Sequence, residues 1–304
     1  MNMIYSNLKS RMAVVAGLAL VCVFGGCNRQ PYISPDRLDR GLVVLLTGIE
    51  GRSLLNEAIA EGLDDGGVDW AIEIKDWTSL WGMLVSLRDE KRNREVAGEI
   101  AARIERYQAA YPDRPVMILG HSGGGGMAVY TAEKLTNGKV QGVLLLNGAI
   151  SKDYRLMRAL RKSEQGLVNF YSPLDMVVRF GTLFAGTMDS QHSESAGSVG
   201  FEVPTTLPKE YDTLYQIGWN QDMVDSFHIG NHFSSASTFY ASKYIAPLIL
   251  SSTWDKQFVD FVKTGQGRAA LAKQVEERIA QAEEERAAEE KSPGPIGEVL
   301  PKPE

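Results

Sequence analysis

The chain has 304 residues, 44% of them hydrophobic, with 38 acidic against 32 basic residues and a formal net charge of −6. That is enough apolar material for the core of one large α/β domain, and it leaves no basic surplus with which to grip a nucleic-acid backbone. The four histidines and two cysteines do not fall at metal-ligand spacing, so no metal site is expected.

The first segment, residues 1–26, reads as a leader. Lys9 and Arg11 precede the apolar run MAVVAGLALVCVFGG, Met12 to Gly26. The run is shorter than the roughly 20 residues a spanning helix needs. It ends in Gly25-Gly26-Cys27, which resembles the lipobox of bacterial lipoprotein signal peptides. The resemblance implies cleavage before Cys27, lipidation of its thiol, and a protein held on a bacterial membrane in the cell envelope. An uncleaved anchor and a plain secretory signal are the alternatives. Residues 27–40, polar and with two prolines, read as the tether.

From residue 41 to 265 the pattern alternates between strands and helices. GLVVLL (41–46) is a short apolar run readable as a buried strand, and a helix follows through Leu54, Leu55, Ala58 and Ile59. VDWAIEI (68–74) alternates with period two. Val96, Ile100, Ile104 and Tyr107 recur at helical spacing until Pro112 stops the pattern. PVMIL (115–119) is the next strand, then a helix through GMAVYTAEKL, then strands at 140–146 and 166–171 flanking a helix near 151–163. DTLYQIGW (212–219) is the last strand, followed by a helix at 235–250. Such alternation predicts a mostly parallel sheet covered on both faces.

Two stretches break the rhythm. Residues 181–208, rich in Gly, Ser and Thr, read as an irregular insertion that shapes a site entrance or lies on the surface. Residues 266–291 read as a charged helix with one narrow stripe of Leu271, Val275 and Ile279, docked by that stripe or offered to a partner. Residues 292–304 are Pro-rich and read as a disordered tail.

The chemistry centres on VMILGHSGGGGMAVY, 116–130. Gly120-His121-Ser122-Gly123-Gly124 matches G-x-S-x-G, with a strand directly before it and a helix directly after. In that context it resembles the nucleophile elbow of the α/β-hydrolase family. The resemblance implies an α/β-hydrolase fold, Ser122 as nucleophile, an acid after a later strand and a histidine base after the last one, and the stretch between the strands ending at Leu146 and Tyr171 is too short for a separate cap domain. Asp175, in Ser172-Pro173-Leu174-Asp175, stands where the acid belongs; the other reading is a helix N-cap, and Asp189 is the reserve. His232 stands where the base belongs, with His228 as the second candidate for that role or as a packing residue. His192 reads as surface. His121 reads as structural, its side chain aimed away from the nucleophile. The oxyanion hole is expected from the N–H of Gly123 and of Ile49, in LLTGIEG (45–51), where Thr47 replaces the family's usual histidine. Trp77 and Trp81 are candidates to line a pocket or to pack in the core.

Other readings of the glycines fare worse. A phosphate-binding loop needs Gly-Lys-Ser/Thr, but Gly126 is followed by Met127. Gly123-x-Gly125-x-x-Ala128 fits a loose dinucleotide fingerprint, yet the next strand ends LLLNGAI with no acid to hold a ribose. The expectation is a serine hydrolase acting on an ester or thioester in a small molecule, lipid or glycan, with no cofactor and no nucleic-acid partner. A non-catalytic binding protein on the same fold is the alternative. Gly125 and Gly126 are not required by the motif; they are expected to keep the first helical turn bare for close packing or for the acyl group.

Overall fold

The computed structural model describes residues 31–79, 82–178, 186–206 and 208–291. Cys27, Trp81, the apolar leader and the tail from 292 lie outside the described residues, so the readings made there are not addressed by it.

Six strands form one parallel sheet: β1 (Leu42–Leu46), β2 (Ala71–Lys75), β3 (Val116–His121), β4 (Gly142–Leu146), β5 (Leu167–Tyr171) and β6 (Leu214–Gly218), in the order β2-β1-β3-β4-β5-β6. β1, β3 and β4 are buried at every position, as continuous apolar runs in a two-sided parallel sheet should be. β2, at one edge, is partly exposed at alternate positions, matching its period-two sequence.

Side chains alternate across the sheet and divide the core in two. Leu42, Val44 and Leu46 face a layer with Ile100, Ile104 and Tyr107 of α2 (Glu90–Ala110) and Met127 and Tyr130 of α3 (Gly123–Lys134). Val43 and Leu45 face Ile59 and Leu63 of α1 (Leu54–Asp65) and Tyr240, Tyr244 and Leu248 of the C-terminal helical run. That run, α4, joins Thr238–Tyr240, a π-helical turn Ala241–Ile245, and Ala246–Leu250. Its Ala246 N–H donates to Ala241 O. The wider turn immediately precedes Pro247, whose ring would clash with the carbonyl four residues back in a regular helix.

Three segments differ from the expectation. Only Met157–Arg161 of the 151–163 stretch is helical. The 181–208 insertion is in part core: Met188 and Ala196 are fully buried and Ser195 bridges Ser151 in antiparallel fashion, while 190–192 and 202–206 are exposed. Beyond α5 (Lys256–Lys263), α6 (Gly267–Lys291) packs Ala270 and Leu271 on the core. Its Val275 and Ile279 stay 48% and 55% exposed, so the apolar stripe docks at its first turn only.

The sheet order sets where a site can form. The chain steps from β1 outward to β2 and then back past β1 to β3. Loops following β1 and β3 therefore leave neighbouring strands in opposite directions and open a crevice at the carboxyl ends of the strands.

Candidate active site

Ser122 sits in that crevice, between β3 and α3, with φ 57° and ψ −122°. A non-glycine residue in that region costs on the order of 1–3 kcal/mol and persists only when its surroundings hold it there. They do. The Ser122 N–H donates to Leu146 O at 2.9 Å, and its carbonyl accepts from both Gly125 and Ala149 at 2.9 Å. The turn is thereby bonded to the end of β4 as well as to its own helix. A side chain on Gly124 would strike the carbonyls of Leu46 and Thr47, and one on Gly120 would strike Gly124 itself, so both flanks of the turn must be bare.

The chain begins α3 at Gly123, earlier than the apolar pattern indicates, so all four glycines are helical. Gly123, as the first helical residue, has an N–H with no intrahelical acceptor. A Cβ built on it would lie 2.5 Å from Ile49 Cγ2 and 3.5 Å from Ile49 N, so the loop after β1 rests directly against this residue. The loop is braced from below by Trp77, whose indole N–H donates to Thr47 O at 2.6 Å. Trp77 is fully buried, so it packs rather than lining a pocket.

Asp175 follows β5 and is completely buried. His232 Nδ1 lies 2.7 Å from its Oδ2, Asn147 Nδ2 donates to the same oxygen at 2.8 Å, and the Val178 N–H donates to Oδ1 at 2.9 Å. Burial raises the carboxyl, but the neighbouring His232 and these three hydrogen bonds outweigh it and hold Asp175 below the usual carboxylate range. The bond to Val178 also makes Asp175 an N-cap, so the two readings of this residue coexist in one side chain. Ser172 Oγ donates to Gly230 O at 2.6 Å and ties the Asp175 loop to the His232 loop.

The other candidates lie elsewhere. Asp189 accepts from both the N–H and the hydroxyl of Ser151 and pins the insertion. His228 is buried against Tyr240, ring centroids 4.5 Å apart, with Nδ1 2.9 Å from Ser234 Oγ. Burial lowers it to about 4. His192 is exposed.

Two residues at the site carried no sequence signal for it. Asn147, just past β4 in LLLNGAI, has φ 50°, a left-handed conformation that asparagine tolerates. Glu50 folds its carboxylate back over Gly48, where a Cβ would sit 2.8 Å from Oε1. Burial raises the Glu50 carboxyl, while its own backbone, His232 and Ser53 pull it down. Among the described residues no group of three or more His, Cys, Asp or Glu side chains is placed to hold a metal ion, and no helix is long and apolar enough to cross a membrane.

A parallel sheet in this order, a strained serine turn after its third strand in sequence, and aspartate and histidine loops after the fifth and sixth together define an α/β-hydrolase fold. No family model matches the chain, and no curated protein matches it. Among solved structures it is similar to Aspergillus fumigatus lipase B at 12% identity, covering 79% of this chain and 63% of that one, with a TM-score of 0.43. It is also similar to the esterase domain of a Rhodothermus marinus protein (13%, 71% and 88%, 0.39) and to Est1E from Butyrivibrio proteoclasticus (12%, 72% and 89%, 0.38).

Proposed function

We propose that the protein is a serine hydrolase that cleaves a carboxylic ester or thioester through an acyl-enzyme on Ser122. The observation that carries this reading is the 2.7 Å His232–Asp175 pair, with the His232 ring centroid 4.8 Å from that of His121, the residue directly before a serine at φ 57°. Asp175, a carboxylate, accepts a hydrogen bond from Nδ1–H of His232, which fixes the tautomer with the Nε2 lone pair available to act as base. His232 removes the Ser122 hydroxyl proton as Oγ attacks the carbonyl carbon. The N–H groups of Gly123 and Ile49 receive the oxyanion. His232 then protonates the leaving group, and water, activated the same way, releases the acid and regenerates Ser122.

Exposed apolar side chains next to the acid and base favour a substrate with an apolar portion. Leu174 adjoins Asp175 and is 49% exposed, and Phe233 sets its ring edge-on to His232 at 5.7 Å. The resemblance of the Cys27 segment to a lipobox supports placing this activity on a lipid-anchored protein of a bacterial envelope. No cofactor enters the scheme.

The test is labelling with a fluorophosphonate probe. Wild-type protein is expected to label and Ser122→Ala to remain unlabelled. A folded wild type that does not react would sink the hydrolase reading in favour of a binding protein. A chain-length series of nitrophenyl esters then defines the acyl group.

A further inference from the structure

We propose that His121, the variable residue of the elbow, is a positioning residue for the histidine base, reaching 111 residues along the chain to hold the His232 main chain and brace its ring. The inference rests on the reading of His232 as base. Three observations carry it. His121 is fully buried. Its Nε2 lies 3.3 Å from the main-chain carbonyl of His232 and 3.4 Å from Ser235 Oγ. Its ring lies against the His232 ring, centroids 4.8 Å apart and planes at 34°.

A carbonyl oxygen only accepts, so Nε2 carries the proton and Nδ1 the lone pair. Nδ1 has no hydrogen-bond partner, consistent with a neutral ring that gains nothing from a second proton. Burial, reinforced by the nearby His232, lowers His121 to about 3, so it keeps this form whether or not His232 is charged. Ser235 Oγ donates to the same His232 carbonyl at 2.7 Å, which makes a two-donor clamp on the base loop. Because residue 121 is bonded directly to Ser122, movement of the nucleophile turn and of the base loop is coupled through one rigid ring. The side chain packs on the base and its loop.

The experiment compares His121→Phe, which keeps a ring and loses the donor, with His121→Gln, which keeps an amide donor at similar reach. Two readouts are taken on folded protein: kcat and KM for a nitrophenyl ester, and the deshielded proton resonance of the His232–Asp175 hydrogen bond. The expected result is a kcat at least tenfold lower in His121→Phe with KM within twofold, a broadened or shifted resonance, and recovery of most of both in His121→Gln. Equal impairment of the two variants, or a His121→Phe resonance and kcat like wild type, overturns the proposal. If wild type neither takes the fluorophosphonate label nor turns over an ester, the hydrolase reading fails while the resonance still decides the role of His121. If His121→Phe does not fold, His121→Gln decides: a wild-type resonance with kcat within threefold supports the clamp, and loss of either overturns it.

Discussion

Gly125 on the first turn of α3 faces Gly148 after β4 so closely that a Cβ on Gly125 would lie 2.7 Å from Gly148 Cα. Helix propensity favours Gly125→Ala by up to about 1 kcal/mol. The contact opposes it, since the neighbour is backbone that also carries the turn to Asn147. We expect Gly125→Ala to destabilise the protein by about 1–3 kcal/mol in chemical denaturation. Gly126→Ala would meet Met188 Cβ at 2.7 Å, a side chain rather than backbone, and should cost less. A neutral or stabilising Gly125→Ala would show that close packing is not why this glycine is there.

Asp175→Asn should cost more activity than Asn147→Ala. The first replaces the acceptor for His232 Nδ1–H with an amide and allows the wrong tautomer, so kcat should fall by about 10³-fold or more. The second removes one of the donors to a buried carboxylate, worth about 1.5–3 kcal/mol, and should lower kcat roughly tenfold while costing stability. Steady-state kinetics on both variants checks the ranking. An Asn147→Ala enzyme as active as wild type would remove Asn147 from the machinery.

Trp77→Phe tests the brace beneath the loop after β1. It keeps most of the apolar contact but leaves Thr47 O without its 2.6 Å donor. An unpaired buried carbonyl costs about 1–3 kcal/mol, and the loop that carries Ile49 should loosen. The expected outcome is a severalfold lower kcat and a lower melting temperature. Lost stability with unchanged kcat would confine Trp77 to packing.

Acid should destabilise the fold through its buried histidines. His121 and His228 are lowered to about 3 and about 4 from an ordinary 6.5, chiefly by burial. Between those values the unfolded chain binds protons the folded one refuses. Their stabilising effect is therefore complete above about pH 6.5 and is lost as pH falls toward 4 and 3. Asp175, also lowered, adds a loss in the same direction at lower pH. Denaturation series at several pH values should show stability rising with pH across this window. His228→Asn should reduce that slope by up to about 1.4 kcal/mol per pH unit near pH 5. An unchanged slope would mean His228 is not the proton-linked group.

Much of this arrangement is legible in the sequence. The strands, the turn at Ser122, Asp175 after β5 and His232 after β6 can all be read in sequence, because each is a short local pattern: an apolar run, a glycine-flanked serine, a polar residue just past a strand end. Burial within the 181–208 insertion is not legible in sequence, because a run rich in Gly, Ser and Thr lacks apolar periodicity. Yet Met188 and Ala196 are buried within it. The 151–163 stretch reads as a longer helix than the Met157–Arg161 that forms, since propensity is a weak guide where packing decides the ends.

What the sequence determined by itself is the parallel sheet and the order in which serine, aspartate and histidine leave it. What only the tertiary structure decided is which remote groups meet: Asn147 with Asp175, His121 with the carbonyl of His232, Ile49 against Gly123 and Gly125 against Gly148. Those contacts depend on strand order and on the reversal between β1 and β3. These are set by burying both faces of one sheet at once, not by the spacing of residues along any single segment.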